Sequence, residues 1–447
     1  MQIKQFDDKN LSHYSYAVLS ECEKKIILID PARNTQPYLD YATEHHAQIT
    51  GIIETHPHAD FVSSHLELHQ ATGATIYTSK DVEAFYPHEA FDEGQTILLG
   101  KIKLTALNTP GHSPDSISIL LEHEGKQKAV FTGDTLFIGD CGRPDLREGA
   151  GKIKTTRTEL AKQMYHSLRD KLMVLEDGVE VYPAHGAGTL CGKSLSKENS
   201  STIGEEKQTN WSLQEATEAQ FVQTLLADQP FIPQYFPFNV ELNRIGAPSA
   251  QLGIDKVNIV DEVDETSLNE NYWIVDVRNE KDFKEGHFPH SVNLMENGKF
   301  ETWLGSIIKP GEKYYLAGEN EEQLRRVIQR TAAIGYDTAI EAAYIAKGDQ
   351  LQEAEIDLQL FEKYPEAYTI LDVRNPAEVK EKKIFENSIA IPLFDLRDSI
   401  NDIPTDKPIV VHCAGGYRSA AASSMIHSQL HDKVTVFDLG EAIKQFQ

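Results

Sequence analysis

Short apolar runs alternate with polar stretches along the chain, and many of the runs have the length of a β-strand. Residues 25–30, 96–100 and 129–134 illustrate the pattern, because each is largely apolar and ends in Gly or Asp. Such runs are typical of buried strands, and the longer polar stretches between several of them indicate helices. The first half of the chain is therefore predicted to alternate strands with helices, as α/β folds do.

The second half of the chain contains an internal repeat. Residues 271–279 (Asn-Tyr-Trp-Ile-Val-Asp-Val-Arg-Asn) recur as residues 367–375 (Ala-Tyr-Thr-Ile-Leu-Asp-Val-Arg-Asn), so that Asp372 lies 96 residues after Asp276. A period of about 100 residues corresponds to a duplicated domain and not to a solenoid repeat. Each copy has short apolar strands separated by amphipathic stretches, which predicts a parallel α/β sheet in each.

Polar and proline-rich segments interrupt the first half of the chain near its end. Residues 194–208 are polar and rich in Ser, Glu and Lys, which predicts a loop. Pro230, Pro233 and Pro237 lie close together, and we expect them to break any helix in that region. The elements of the first domain are therefore expected to end near this part of the chain.

The length of 447 residues is too great for one ordinary hydrophobic core, so several domains are expected. One boundary is predicted near residues 246–249 and a second near residues 348–350. The predicted domains comprise residues 1–245, 246–349 and 350–447.

The composition, with 40% hydrophobic and 25% charged residues, is typical of a globular protein in water. No apolar run approaches the roughly 20 residues needed to span a bilayer, and the N-terminal residues lack the apolar core of a secretory signal. We therefore expect a cytoplasmic protein with no membrane contact. The formal net charge of −26 repels nucleic-acid backbones and anionic lipids, but it is compatible with a local basic pocket for a small anion.

The four cysteines, Cys22, Cys141, Cys191 and Cys413, are far apart and form no Cys-x-x-Cys pair. A zinc knuckle or a disulfide scaffold is therefore not expected. The chemistry of the individual thiols remains open.

A metal motif follows the apolar run at residues 49–53. Residues 55–61 are Thr-His-Pro-His-Ala-Asp-Phe, so His56, His58 and Asp60 form a His-x-His-x-Asp pattern directly after a predicted strand. Imidazole and carboxylate groups are the ligands that hold Zn, Fe or Mn in proteins. The motif therefore predicts metal ligands at the carboxyl end of this strand.

Three further segments carry candidate ligands. His112 lies in a turn rich in Pro, Gly and Ser, whereas Asp134 and His185 each follow an apolar strand. Strand ends and turns are where α/β folds concentrate functional residues. A lone His after a strand is more often a surface or capping residue, but four such segments together predict a metal site.

In order and context these segments resemble the metallo-β-lactamase superfamily, and within it the persulfide dioxygenases. The resemblance covers roughly residues 1–245 and implies an αββα sandwich. Residues 139–145, Gly-Asp-Cys-Gly-Arg-Pro-Asp, are similar to a Gly-Cys-Gly-Arg segment of that family. The superfamily motif usually continues with a further His that helps to hold a second metal, and Phe61 stands at that position here. This departure favours one metal over two.

The resemblance also implies a ligand set. In the persulfide dioxygenases two histidines and an aspartate hold one Fe(II), and the matching residues are His56, His112 and Asp134. Such a set leaves three open positions on an octahedral ion, as in non-haem oxygenases that bind substrate and O₂ together. The remaining motif residues would orient the ligands or contact the substrate; they are His58, Asp60 and His185.

Three residues near the predicted metal site each have two interpretations. Arg143 is the candidate cation for an anionic part of the substrate, with a structural salt bridge as the alternative. Asp145 is as compatible with a turn residue as with a catalytic one. Cys191, six residues after His185, is a candidate for an intermediate thiol, with an inert cysteine as the alternative.

A second site is predicted in the last domain. Residues 407–412 form a predicted strand that leads into Cys413-Ala-Gly-Gly-Tyr-Arg418-Ser, and a stretch with helical spacing follows. A strand, a glycine-containing loop and a helix N-terminus aim backbone amides at the sulfur, and Arg418 adds a positive charge. This arrangement predicts that Cys413 is a nucleophile.

The loop resembles the active-site loop of the rhodanese sulfurtransferases, and residues 372–374 match their early strand motif. The resemblance implies two rhodanese-like α/β domains with parallel sheets. The first copy has Asp276-Val-Arg, but at the loop position residues 314–321 are Tyr-Tyr-Leu-Ala-Gly-Glu-Asn-Glu, without Cys. We therefore expect the domain at 246–349 to be catalytically inactive and to act as a spacer or interface.

The combined resemblances imply a two-step function in sulfide detoxification. Fe(II) and O₂ would oxidise a low-molecular-weight thiol persulfide to sulfite and the free thiol. Cys413 would take a sulfane sulfur from a second persulfide and pass it to sulfite, which leaves as thiosulfate, or the same residues would run the transfer in reverse. Family habit implies a homo-oligomer, either a dimer or a tetramer.

Two other classes of function remain open. A zinc thioester hydrolase of the glyoxalase II type, with an appended sulfurtransferase, shares the fold and the His/Asp motifs, although Phe61 weighs against its usual two metals. A non-enzymatic sulfur carrier would use Cys413 alone to relay sulfur to a partner.

Overall fold

The computed structural model describes residues 1–148, 155–347 and 351–447. They form two compact units. Residues 1–252 with the segment 333–335 form the first, here called the sandwich unit, and residues 253–332 with the described part of 336–447 form the second, the tandem unit. The sandwich unit therefore ends close to the boundary predicted near 246–249. The boundary predicted near 348–350 lies outside the described residues.

The first sheet of the sandwich unit has six strands in chain order: β1 (Gln2–Asp8), β2 (His13–Ser20), β3 (Lys25–Ile29), β4 (Gln48–Ile53), β5 (Thr75–Thr78) and β6 (Glu89–Ala90). Strands β1 to β3 pair antiparallel, and β3 to β6 pair parallel. The switch to parallel pairing places the ends of β3 and β4 at the same edge, directly before Asp30 and the His-x-His-x-Asp motif.

The second sheet also has six strands, in the order β12-β11-β10-β9-β8-β7. Their bounds are β7 (Thr96–Leu99), β8 (Ile102–Asn108), β9 (Ile117–His123), β10 (Lys126–Gly133), β11 (Glu180–Pro183) and β12 (Ser201–Thr202). Only β10 and β11 pair parallel within this sheet as described. Because they are parallel, the residues that follow them, Asp134 and His185, emerge at the same edge.

Helices cover the outer face of each sheet. They are α1 (Gln36–Glu44), α2 (His65–Thr72), α3 (Arg157–His166), α4 (Ile203–Thr209), α5 (Glu218–Leu226) and α6 (Tyr235–Ile245). One core lies between the sheets and contains Val18, Leu104 and Phe131. Two outer cores join the first sheet to α1 and α2, and the second sheet to α3 and α5. This layering confirms the predicted αββα sandwich.

Two local predictions in this unit are wrong. Residues 194–208 are not a continuous loop, because they contain β12 and most of α4. Helix α4 forms because Thr202 caps it by accepting from the Glu205 amide and because Ile203 is buried in the core. Pro237 does not break a helix either. It lies in the first turn of α6, where a missing N–H leaves no hydrogen bond unmade.

The tandem unit contains two parallel sheets, as predicted. The first has the order β13-β17-β16-β14-β15 and the second the order β19-β18-β20-β21. Their strands are β13 (Ile259–Val260), β14 (Trp273–Asp276), β15 (Ser291–Asn293), β16 (Tyr314–Gly318), β17 (Ile340–Ile345), β18 (Thr369–Asp372), β19 (Ile389–Ala390), β20 (Ile409–His412) and β21 (Val436–Asp438).

The remaining helices are α7 (Ala250–Ile254), α8 (Glu280–Glu285), α9 (Phe300–Ile307), α10 (Glu321–Ala332), α11 (Leu358–Lys363), α12 (Pro376–Glu381), α13 (Leu393–Ser399) and α14 (Tyr417–Leu430). None of the helices in the described ranges has the length and apolar character required to cross a membrane.

The sequence repeat is also a structural repeat. At the end of β14, Asp276 receives a bidentate ion pair from Arg278, with Nη2 to Oδ2 at 2.6 Å. At the end of β18, Asp372 receives the same pair from Arg374, again at 2.6 Å. Each arginine also donates to a backbone carbonyl eight residues further along the chain. The Asp-Val-Arg motif therefore fixes the segment after the first central strand of each copy.

The inter-sheet core predicts the effect of one substitution. The Phe131 ring stacks on Tyr182 at 5.5 Å and contacts Tyr16, and only 1% of the side chain is exposed. We expect Phe131→Ala to lower the free energy of unfolding of the sandwich unit by roughly 3–5 kcal/mol. Urea denaturation followed by Trp211 fluorescence, with Trp273 and Trp303 replaced by Phe, measures this unit.

Leu98→Ala is the matched control, because Leu98 lies in β7 of the same sheet but is 70% exposed. Its cost should stay within about 0.5 kcal/mol, as for most surface substitutions. Equal losses in the two variants would contradict the place of Phe131 in the core.

Candidate metal centre and sulfur-transfer loop

The predicted metal ligands converge at one edge of the sandwich unit. The Nε2 atoms of His56 and His112 lie 3.9 and 3.4 Å from Oδ2 of Asp134. His56 follows β4, His112 lies between β8 and β9, and Asp134 follows β10. Their ligand atoms lie within 4.8 Å of one another, which is close enough for a single metal ion to contact all three. The structure thus brings the predicted set together.

Two of the ligand atoms in this set are buried, and nothing in the described ranges forms a hydrogen bond to them. Nε2 of His56 and Oδ2 of Asp134 have no hydrogen-bond partner among the residues that the structure describes. Both side chains are 1% exposed. A buried polar atom without a partner costs roughly 1–3 kcal/mol, and a charged one more. A bound cation removes this cost, so the residues present fit a metal.

Hydrogen bonds on the far side of each ring aim the free nitrogens inward. Nδ1–H of His56 donates to Oγ1 of Thr55 at 3.0 Å, and Thr55 in turn donates to Oδ2 of Asp30 at 2.8 Å. Nδ1–H of His112 donates to the Arg143 carbonyl at 2.8 Å. In both rings the lone pair is therefore on Nε2, which is the tautomer that a metal ligand needs.

Sequence reasoning missed Asp30, which organises the motif from the neighbouring strand. Its backbone has φ of +49°, a conformation uncommon for a residue other than Gly. Its carboxylate accepts from the Thr55 amide at 2.7 Å and lies 3.2 Å from Nε2 of His58. The signal that could have found it is its position at the carboxyl end of β3, beside β4.

His58 faces Asp30 and is not part of the first ligand set. Burial disfavours its charged form, but the carboxylate of Asp30 more than compensates and raises the pKa of His58 to about 9. His58, Asp60 and His185 nevertheless form a second group whose ligand atoms lie within 4.8 Å of one another. Nε2 of His185 is 3.4 Å from Oδ2 of Asp60 and 3.5 Å from Oδ1 of Asp134.

Phe61 occupies the side of this second group. The side chain is 1% exposed, and its ring centre lies 4.4 Å from that of His58 and 3.8 Å from that of His13. His13, at the start of β2, was not predicted as a neighbour of the site. An aromatic ring offers no ligand atom, so a second ion here would lack the ligand that the missing His supplies elsewhere.

Asn243 holds the metal motif in place from helix α6. Its side-chain amide donates to the carbonyls of His58 and Phe61, each at 2.8 Å, and its oxygen accepts from the Ser63 amide at 2.8 Å. The backbone at Gly142 passes close to the backbone of Asp134. Glycine permits this, because a Cβ there would lie 1.9 Å from the Asp134 carbonyl oxygen. Neither residue carried a sequence signal for this role.

Arg143 is engaged by the protein itself. Its guanidinium forms a bidentate pair with Asp145, with both distances 2.7 Å, and donates to the carbonyls of Leu190, Pro230 and Phe231. These contacts favour the structural ion pair that the sequence left open, and a substrate role for Arg143 stays a prediction. Arg147, which is buried beside the site and pairs with Asp115 at 3.0 Å, was missed.

Cys191 is a neighbour of the metal site. Its sulfur belongs to a group with Asp134 and His185 whose ligand atoms lie within 4.8 Å of one another. Burial, together with the nearby carboxylates of Asp60 and Asp134, raises the pKa of the Cys191 thiol well above its usual value. The structure therefore places the Cys191 thiol beside the metal ligands and favours its protonated form. Its role as an intermediate stays a prediction.

The predicted sulfur-transfer loop follows β20 and leads into α14. Sγ of Cys413 accepts from the amides of Gly416 at 3.1 Å and Gly415 at 3.5 Å, and it lies 3.7 Å from Oγ of Ser419. Gly416 has φ of +104°, which lets the loop turn its amides toward the sulfur. Such a cradle stabilises negative charge on the sulfur or on an anion bound to it.

Arg418 has a partner that the sequence did not indicate. Its guanidinium forms a bidentate ion pair with Glu378 of α12, at 2.5 and 2.8 Å. Part of the positive charge that the loop presents to an anion is therefore offset by Glu378.

In the first copy, the segment at the position of the Cys413 loop forms hydrogen bonds within itself. The Glu319 amide donates to Oε1 of Gln323 at 2.8 Å, and the Gln323 amide donates to Oδ1 of Asn320 at 2.9 Å. Side-chain oxygens here accept from backbone amides that would otherwise be available to an anion. Together with the absence of Cys, this favours the predicted inactivity of residues 246–349, which stays a prediction.

Comparison with known proteins agrees with the geometry. The family model of the metallo-beta-lactamase superfamily matches residues 10–185, and the rhodanese-like domain model matches residues 260–346 and 357–442. The crystal structure of a metallo-beta-lactamase from Staphylococcus aureus is 31% identical, with a TM-score of 0.69, and the match covers 77% of this chain and 99% of that one.

Relatives of two activities resemble the sandwich unit. A cytoplasmic hydroxyacylglutathione hydrolase of Arabidopsis thaliana is 28% identical over 267 residues, which is 58% of this chain and 95% of the relative. The mitochondrial persulfide dioxygenase ETHE1 of Mus musculus is 26% identical over 194 residues, which is 43% of this chain and 71% of the relative. The chain belongs to the metallo-β-lactamase superfamily, and two rhodanese-like domains follow its metallo-β-lactamase fold.

Proposed function

We propose that the chain oxidises low-molecular-weight thiol persulfides to sulfite and the free thiol at an Fe(II) site, and transfers sulfane sulfur through Cys413 to form thiosulfate. The observation that carries this proposal is the buried set of His56, His112 and Asp134, with Phe61 where a second metal would need a ligand. The sulfur-transfer loop on the same chain supports a sulfur substrate. The function would serve sulfide detoxification.

The residues of the metal centre have separate tasks in this proposal. A non-haem Fe(II) held by His56, His112 and Asp134 would supply redox chemistry with O₂ and leave positions open for both substrates. Thr55 and the Arg143 carbonyl keep the two imidazoles in the ligating tautomer. The buried surroundings of the site exclude bulk water from a reactive persulfide.

Sulfur transfer at Cys413 needs no metal. The Cys413 thiolate attacks the outer sulfur of R–S–SH, the S–S bond breaks, and R–S⁻ leaves with the proton of the medium as R–SH. Sulfite then attacks the outer sulfur of the Cys413 persulfide, and thiosulfate leaves as the Cys413 thiolate is restored. The amides of Gly415 and Gly416 stabilise the charge that remains on the cysteine sulfur. In the reverse direction the same residues act on thiosulfate.

A zinc thioester hydrolase is the second candidate. The observation that favours it is the group of His58, Asp60 and His185, which could contribute to a second metal position beside Asp134. The resemblance to a hydroxyacylglutathione hydrolase is of the same order as that to a persulfide dioxygenase. About one Fe per sandwich unit, with O₂ uptake on a persulfide, supports the first proposal. Two Zn per sandwich unit, with thioesterase activity, would support the second, and a lack of O₂ uptake by an iron-loaded chain would favour a sulfur carrier.

Asp134→Ala tests the metal assignment. Asp134 supplies the only carboxylate of the set, so its loss should lower iron affinity by more than the roughly 10–100-fold that an outer partner is worth. We expect persulfide-dependent O₂ uptake to disappear while thiosulfate sulfurtransferase activity persists. Anaerobic metal analysis and an oxygen electrode provide the measurements. Undiminished O₂ uptake would refute the ligand assignment.

Cys413→Ser tests the sulfur carrier and is the reciprocal control. Removing the nucleophile should reduce enzymatic thiosulfate formation to the rate of the spontaneous reaction, because a serine hydroxyl is not ionised near pH 7. O₂ uptake should continue, and sulfite should accumulate in stoichiometric amounts. Cys22→Ser, at an exposed thiol, is the matched control and should behave as the parent. Thiosulfate formation at the parent rate would exclude Cys413 as the carrier.

Glu378→Gln tests the electrostatics of the loop. The substitution keeps an acceptor for the Asn375 amide but removes the negative charge that offsets Arg418. We expect the KM for thiosulfate to fall by roughly two- to fivefold, as for a partly exposed ion pair worth up to about 1 kcal/mol. Glu381→Gln removes an exposed charge from the same helix and should leave KM unchanged. A higher KM in Glu378→Gln would show instead that Glu378 orients Arg418.

A further inference from the structure

Three ligand-type side chains meet in the tandem unit, away from the sulfur-transfer loop. His287 follows helix α8, Glu353 lies in the segment before α11, and His427 lies on helix α14. Their ligand atoms are within 4.8 Å of one another, and all three side chains are buried. None of them takes part in the sites described above.

The inward-facing atoms of this group have no partners. Nε2 of His287, Oε1 of Glu353 and Nδ1 of His427 are buried without a hydrogen-bond partner in the described part of the chain. The side chains are 4%, 9% and 9% exposed. Three such atoms left unpaired destabilise the fold, because each gives up the hydrogen bonds that water would make to it. One ion contacting all three atoms turns this loss into a gain.

The first copy and the segment before α11 hold two of the three side chains, those of His287 and Glu353, in position. Nδ1–H of His287 donates to the Phe283 carbonyl at 3.0 Å, and its ring stacks on Phe283 with centres 4.0 Å apart, so the lone pair on Nε2 is fixed in direction. His287 and Leu351 exchange two backbone hydrogen bonds, both 3.0 Å. The Glu353 amide then donates to the Lys284 carbonyl, also at 3.0 Å.

The second copy supplies the third position through its catalytic helix. Next to His427 on α14, Oγ of Ser428 donates to the Ser291 carbonyl at 2.8 Å. One turn earlier, Oγ of Ser424 accepts from the Asn293 amide at 2.9 Å. Helix α14 is therefore seated against β15 of the first copy, and His427 is held opposite His287, with ring centres 5.6 Å apart.

The local chemistry favours a cation. Burial lowers the pKa of both imidazoles to about 4, so both rings are neutral, which is the form that binds metals. Burial, together with the nearby Asp438, raises the pKa of Glu353 to about 8, so an ion that binds here displaces a proton from this carboxyl group. Glu353 also lines a surface cleft together with Glu280, Lys284 and Asp438, which gives an ion a route to the group. Lys281 and Lys284 also line the cleft, and Lys284 is paired with Asp438 at 2.8 Å.

We propose that His287, Glu353 and His427 bind a divalent first-row transition metal, best matched by Zn²⁺, and that this metal links the two rhodanese-like copies. Two imidazoles and one carboxylate are a common zinc set, and water completes the tetrahedron. The metal would join helix α14, which begins at the Cys413 loop, to the copy that lacks a cysteine. That copy would therefore have a structural task in positioning the active one.

The test uses the full-length chain with His112→Ala, which disables the first metal site. Each protein is treated with chelator, reloaded with Zn²⁺ and desalted, and bound zinc is measured by mass spectrometry. We expect His427→Ala and Glu353→Gln, added separately to this background, each to lose one equivalent of zinc relative to the parent. With Co²⁺ as the probe, the visible absorption bands of a four-coordinate ion should be lost in parallel.

His431→Ala is the matched control, because its ring lies 5.4 Å from that of His427 on the same side of the helix but outside the group. It should keep the zinc equivalent. Glu353→Gln nearly preserves size and shape, so it keeps the test decisive if His427→Ala fails to fold. Folded Glu353→Gln and His427→Ala proteins with the same zinc content as the control would overturn the proposal. The readout is independent of O₂ uptake and sulfur transfer, so it stands apart from the proposed function.

Discussion

The carboxylate of Asp30 is the interaction on which the metal centre depends. It lies at the end of one strand and binds both the backbone and the hydroxyl of Thr55 at the end of the next strand. Through Thr55 it sets the tautomer of His56. It also pairs with His58, so that this imidazole faces Asp30 and not the first ligand set. One buried charge therefore decides which imidazole faces the metal and which does not. The positive φ of Asp30 shows that the backbone is strained to place it there.

The sandwich unit and the tandem unit stabilise the buried polar atoms of their sites in different ways. In the sandwich unit, buried ligand atoms from both sheets have no hydrogen-bond partner among the residues that the structure describes, and a bound cation would compensate them. In the tandem unit, the Cys413 loop uses backbone amides, which are fixed dipoles and need no loading. Redox chemistry with O₂ needs an exchangeable ion, whereas sulfane-sulfur transfer needs only a stabilised anion. In the proposed function, the two units would therefore carry a metal-dependent step and a metal-independent one.

Sequence patterns predicted the parallel sheets of the repeat, the ligand segments and the cysteine loop, because each is a local signal of strand end, turn or repeat. The αββα sandwich was implied by the resemblance to a known family. They could not predict the groups that hold these residues from far along the chain. Asn243 supports His58 across 185 residues, and Glu378 meets Arg418 across 40. Local propensity also failed at residues 203–209, where a cap and one buried Ile outweigh a polar composition. Such pairings depend on tertiary contact, which no local window contains.

The burial of Cys413 limits what can exchange sulfur with it. Only 2% of the residue is exposed, and the sulfur lies inside a ring of loop amides and Ser419. Thiol–disulfide chemistry requires the attacking atom to approach in line with the S–S bond. In the proposed function, this burial would favour exchange with sulfite or a small persulfide over exchange with the cysteine of a folded protein.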